Sequence, residues 1–97
     1  MNQHPFLNTI VLIRAHKAGV HFGILQHYGD GYLWLKDSNR IWSWESDALS
    51  CSEISQTGAG GAKLGVMIPD ITIPLDDVGE VIVMQPAAVK QLRDQLK

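Results

Sequence analysis

Four histidines, one cysteine, a glycine-rich loop ending in lysine and an Arg-x-Trp-x-Trp stretch are the side chains with which this chain could do chemistry. His4, His16, His21 and His27 are the metal-ligand candidates. Their spacings match none of the compact zinc patterns, and Cys51 lies far from all of them. His21 and His27 fall on one expected strand six residues apart, a span of roughly 20 Å at strand rise, so they do not share an ion within the chain. Cys51 belongs to an apolar helical stripe and reads as a small hydrophobe rather than a reactive thiol. A Ser or Cys nucleophile needs a base and an orienting acid around it, and no such setting is recognisable. The run from Gly58 to Lys63 suggests a phosphate loop, but that motif continues with Ser or Thr into a helix, whereas Leu64 and strand-like sequence follow here. A flexible connector, or alternatively a ligand lid, is the expectation. No metal and no cofactor are expected, and no catalysis.

The segment Arg40-Ile41-Trp42-Ser43-Trp44 is more informative. In a strand it places Arg40, Trp42 and Trp44 on one face, with Ile41 and Ser43 on the other. Two indoles beside a guanidinium stack on planar rings; the alternative is that the tryptophans fill the core beneath the helices. Arg93 and Lys97 lie four residues apart on the last helix, where like charges repel unless an anion sits between them. A solvated face balanced by Lys90 with Asp94 is the other reading.

With 97 residues, 45% of them hydrophobic and 19% charged, the chain has globular composition and is expected to form one domain, residues 1–97. A domain this small buries only about 60 to 65% of its unfolded surface, so association with further copies is expected to help. The net charge of −2 argues against a polynucleotide partner, which needs a basic patch. One unpaired cysteine and no secretory-type leader point to the cytosol, and no apolar run is long enough to span a membrane as a helix.

These residues must be positioned by an α+β fold, a small antiparallel meander with a short middle helix and a C-terminal helix. Thr9–Ala15 is an apolar strand, and Val20–His27 alternates as a second. Asp30-Gly31 turns a hairpin into a third strand, Tyr32–Lys36. The polar break Asp37-Ser38-Asn39 then separates off a fourth strand, Arg40–Trp44. Ser46 or Asp47 caps a helix bearing Ala48, Leu49, Cys51 and Ile54. Gly58, Gly60 and Gly61 make the following loop the most flexible part of the chain. Pro69 confines Leu64–Thr72 to a sheet edge or a bulge and is expected to split it in two. Glu80–Met84 is the last strand, and Pro86 opens a helix with Val89, Leu92 and Leu96 on its apolar side.

From Ile13 to Trp44 the chain resembles a family of small phage proteins. The resemblance lies in Lys17-Ala18-Gly19-Val20-His21-Phe22-Gly23-Ile24-Leu25, Leu35-Lys36-Asp37 and Arg40-Ile41-Trp42-Ser43-Trp44. In the order of its elements it is also similar to the first-described Thoeris anti-defence family, phage sponges that bind cyclic nucleotide immune signals without cleaving them. Where related sequences carry Ser-Gly-Ala after the tryptophans, this chain has Glu45-Ser46-Asp47-Ala48. The resemblance implies a homo-oligomer in the host cytoplasm that encloses a small cyclic nucleotide, a cyclic ADP-ribose isomer or a cyclic dinucleotide. The ligand-binding residues it implies are Phe22, Arg40, Trp42 and Trp44 for stacking, Arg93 and Lys97 for phosphates, and Asp76 or Asp77 for hydroxyls or a base edge.

Two other functions compete with the sponge. A protein-protein interaction module inhibiting a host defence enzyme would show Trp42 and Trp44, or Tyr32 and Trp34, as an exposed aromatic patch. A hydrolase of the same nucleotides would need Asp76, Asp77 or a histidine with a metal, and no recognised spacing supports it. For the sponge, the distinguishing feature is a pocket shared by Arg40, Trp42 and the basic face of the last helix.

Overall fold

The computed structural model describes residues 4–45 and 50–95. Along the chain come β1 (Ile10–Ala15), β2 (Val20–Gly29), β3 (Tyr32–Ser43), α1 (Cys51–Thr57), β4 (Lys63–Leu64), β5 (Ile68–Pro74), β6 (Val78–Val83) and α2 (Pro86–Arg93). A 3-10 turn at Leu75–Asp77 joins β5 to β6. All pairings are antiparallel. The sheet runs β4-β3-β2-β1-β6, and β5 shares the outer edge of β3 with β4. This is the α+β meander with a middle and a C-terminal helix that the sequence predicts.

β1 is buried on both faces, which explains why Ile10-Val11-Leu12-Ile13 is continuously apolar instead of alternating. Val11, Ile13 and Ala15 turn toward Leu25, Leu33, Leu35 and Ile73. Leu12 turns the other way, into a second core with Phe22, Ile41 and Ile54 and with Ala88, Val89 and Leu92 of α2. Both helices therefore cover one face of the sheet, and the other face closes over its own aliphatic cluster. Burying each such Leu or Ile contributes about 1.5–3 kcal/mol relative to exposure.

Where two strands are expected, between Tyr32 and Trp44, the chain forms the single strand β3. Asp37 adopts φ 51°, a left-handed bend that aspartate tolerates, and the strand continues through it. The bend reverses the facing of the side chains. Leu33 and Leu35 belong to the aliphatic cluster, whereas Ile41 belongs to the helix-side core. Ser38 and Asn39, which read as a polar break, are buried. Gly23 sits opposite this bend, and a β-carbon there would lie 2.8 Å from Ser38 Cβ, so only glycine lets β2 and β3 approach so closely.

The β2–β3 hairpin turns on Asp30 (φ 56°) and Gly31 (φ 88°) between the paired Gly29 and Tyr32, the two positive φ angles of a type I′ turn. Helix α1 begins later than its sequence suggests. Its cap is Ser50, whose Oγ accepts the Glu53 N–H at 3.3 Å, while Ser46, Asp47, Ala48 and Leu49 lie outside the described residues. The glycine loop is tied down rather than loose. Gln91 of α2 accepts the Ala59 N–H at 2.9 Å and donates to its carbonyl at 3.2 Å, and Gln95 accepts the Ala62 N–H at 2.9 Å. Pro69 lies in an edge strand, and the segment is split into β4 and β5 as expected. Among the described residues no helix is long and apolar enough to cross a membrane.

Candidate binding surface

Arg40 and Trp42 lie side by side on the face of β3 that the helices leave uncovered. Their position follows from alternation: Asn39 and Ile41 point to the helix side, so Arg40 and Trp42 point away from it. The Arg40 guanidinium carbon stands 3.6 Å from the centroid of the Trp42 indole, a cation-π stack. Trp42 remains 61% exposed. Arg40 is half-buried, its Nε is shielded from solvent without a hydrogen-bond partner, and no ion pair engages it among the described residues. Gly19 (φ 89°) makes room for the guanidinium, since a β-carbon there would stand 2.8 Å from Arg40 Nη2.

Around this pair a cleft of about 280 Å³ is lined by His21, Ser38, Ile68 and Ile71 and by Gly65 and Val66. His21 is paired with Arg40 across β2 and β3. Its Nε2–H donates to the Ala18 carbonyl at 2.7 Å, which sets the tautomer, because a carbonyl only accepts. Burial lowers the His21 pKa from its ordinary 6.5, the Ala18 bond pulls it back up, and the Arg40 charge lowers it further. At neutral pH Arg40 is thus the cleft's fixed cation.

The rim of the cleft is apolar and exposed. Val66 is 70% exposed, Met67 43% and Ile68 41%. Val66 and Ile68 line the cleft with Trp42, at the outer edge of the sheet where β4 hands over to β5, and Met67 stands between them in the sequence. These residues escape a search for chemistry-bearing types. Their signal is Val66-Met67-Ile68 immediately before Pro69, an apolar run on a segment that proline already confines to an edge.

The other expected site residues are dispersed. Phe22 is wholly buried in the helix-side core, with the Arg93 guanidinium 5.2 Å above its ring, and offers no surface to a ligand. Trp44 does not share the face of Trp42. It leaves the strand and packs against the helix-side core, near Arg14, Cys51 and Glu80. Arg93 reaches through the helix side to β3, where its Nε donates to Asn39 Oδ1 at 3.0 Å and its Nη2 to the Asp37 carbonyl at 2.9 Å. It therefore braces the β3 bend, on the face opposite Arg40. Lys97 lies outside the described residues.

Asp77 is likewise committed to structure. Its two carboxylate oxygens accept the N–H groups of Lys17 at 2.8 Å and Ala18 at 2.9 Å. Those bonds, the Ala18 one foremost, hold its pKa below the ordinary 3.8. Asp76 is exposed and lines a separate cleft with Lys17, Ala18 and Pro74. Of the eight residues the resemblance implies, the described structure brings together Arg40 and Trp42. Tyr32 is exposed, and Trp34 is half-buried with its indole N–H donating to Asp70 at 2.9 Å. Among the described residues no group of three His, Cys, Asp or Glu side chains is placed to hold a metal ion.

No curated protein matches the chain. The family model described as a domain of unknown function, DUF6948, matches residues 8–92. That match takes in every strand, both cores and the Arg40–Trp42 surface, and the chain belongs to the DUF6948 family.

Proposed function

We propose that this chain is a non-catalytic binding module that docks the apolar surface of Trp42, Val66 and Ile68 onto a partner protein, with Arg40 at its centre. The observation that carries this reading is the exposure of three large apolar side chains around one cleft, Trp42 at 61%, Val66 at 70% and Ile68 at 41%. Scattered apolar residues on a surface need no explanation, but an apolar surface around a tryptophan and an arginine has the composition of an interface hot spot. The similarity in the order of its elements to the Thoeris anti-defence family suggests the role: inhibition of a host defence enzyme in the host cytoplasm. The test is affinity capture from infected-host extract with wild-type protein and with a W42A/V66S variant, both checked for equal thermal stability. A host protein retained by the first and lost from the second supports the reading. Equal retention by both counts against it.

The sponge reading is favoured by a different observation, the stacking of Arg40 on Trp42, the pair that would hold a planar anionic ligand. Because Arg93 lies on the opposite face, a cyclic nucleotide stacked on this pair would gain further contacts by being enclosed between copies in a homo-oligomer. Calorimetric titration against cyclic ADP-ribose isomers and cyclic dinucleotides, with chromatographic recovery of the ligand, tests it. Tight binding with intact ligand supports a sponge; turnover would indicate a hydrolase.

A further inference from the structure

We infer that the Arg40 cleft is an oxyanion site, which takes a carboxylate or phosphate attached to a flat or apolar group. This deepens the proposed function and rests on its assignment of the Arg40–Trp42 surface as the one that binds.

Three features of the cleft lead to it. First, the Arg40 Nε is shielded from water and has no hydrogen-bond partner. A buried donor left unpaired is costly, and more so when it carries charge. Three other cations are engaged: Arg14 with Glu80 at 3.2 Å, Lys90 with Asp94 at 2.7 Å, and Arg93 with two oxygens of β3. Second, the groups beside Arg40 make the cleft selective for charge. Its walls are the aliphatic Val66, Ile68 and Ile71, which lower the local dielectric and strengthen an ion contact. Among the described residues, His21 and Ser38 are its other polar side chains, and no carboxylate lines it. Third, the guanidinium stacks on the Trp42 ring at 3.6 Å and lies against the space that a β-carbon on Gly19 would fill. A planar fork stacked on a ring accepts a two-oxygen anion with little loss of freedom, while the exposed indole offers a ring or aliphatic group a surface to lie on.

The source of the oxyanion is decided by chemistry. An acidic or C-terminal carboxylate from a partner protein and a nucleotide phosphate both satisfy the fork. The experiment is NMR titration of the ¹⁵N-labelled full chain, following the Arg40 Nε–H and Trp42 Nε1–H cross-peaks, each assigned by loss in R40K or W42F. The probes are indole-3-acetate and adenosine 5′-monophosphate, each beside its uncharged counterpart, indole-3-acetamide and adenosine. A charge-assisted pair of bonds predicts that the anion binds roughly ten- to a hundred-fold tighter than its counterpart. The Arg40 Nε–H peak moves saturably, and R40Q abolishes the difference. Preference for the acetate identifies a carboxylate source, and preference for the monophosphate a nucleotide.

If both anions bind no better than their neutral counterparts, or if R40Q binds as well as the wild type, the inference is overturned. The two proposals fail separately. Capture of a host protein that depends on Trp42 and Val66, with no anion effect, removes the oxyanion site alone. An anion effect without capture removes the protein partner and leaves the site.

Discussion

The Arg93 guanidinium, which projects from the C-terminal helix, closes on the amide of Asn39 in the middle of the longest strand, with Nε and Oδ1 3.0 Å apart. Asn39 is fully buried, and its Nδ2 donates in turn to the Gly65 carbonyl at 3.1 Å. One asparagine thus joins α2, the bend of β3 and the start of the exposed apolar segment. Asn39→Ala leaves both a charged donor and a carbonyl short of a partner in a buried place. The expected loss is about 2–3 kcal/mol, read by urea unfolding with an unchanged m-value.

Phe22 and Trp42 make a paired test of which aromatics are structural. Phe22→Ala should cost about 3–5 kcal/mol, since its ring fills the core beneath α2. Trp42→Ala gives up the stack with Arg40 and is expected to change stability by no more than about 1 kcal/mol. Comparable losses at the two positions would mean that Trp42 is buried by something in solution.

At Gly23 the expected effect is steric. A methyl group would press on Ser38 Cβ at 2.8 Å and on its Cα at 2.9 Å, and backbone cannot swing aside as a side-chain tip can. Gly23→Ala is predicted to destabilise by about 1–3 kcal/mol, whereas Gly60→Ala, where a β-carbon meets nothing within 4 Å, stays near wild type. Thermal melts of the two variants side by side decide this.

Asp77 links the β1–β2 turn to acid stability. Its carboxyl pKa is lowered in the folded chain, mainly by the Ala18 N–H and then by the Lys17 N–H, so the unfolded chain takes up the proton first as pH falls. The stabilisation is complete above the unfolded value near 3.8 and is lost as pH drops through the lower folded value. Wild type is therefore expected to melt above Asp77→Asn at neutral pH, with the two curves converging in acid. A gap that persisted below that range would assign the effect to something other than the carboxylate charge.

His21 should act in the same direction at higher pH. Its folded pKa lies below 6.5, so the unfolded chain is protonated first, and stability declines as pH falls from about that value toward the folded one. An NMR titration of the His21 imidazole should give a midpoint below 6.5.

The residue pattern alone determined the strands of the first hairpins, the Asp30-Gly31 turn, the edge position of the Pro69 segment and the helix opened by Pro86, because each rests on local periodicity or backbone preference. It also located Arg40 and Trp42 on one face, since two residues apart in a strand share a side whatever the strand packs against. Tertiary structure decided the rest. Asp37-Ser38-Asn39 reads as a loop by composition, yet the strand passes through it because Asp37 tolerates a positive φ and Asn39 finds partners on α2 and at Gly65. That one bend reversed the facing of β3, so Arg93, which the sponge reading had joined to Arg40 in one pocket, braces the opposite side. Phe22 went to the core, and Trp44, which follows the end of β3, packs half-buried against it, because which surface is covered depends on where distant helices settle. The apolar surface became legible only once β4 and β5 were seen to share the open edge of the sheet.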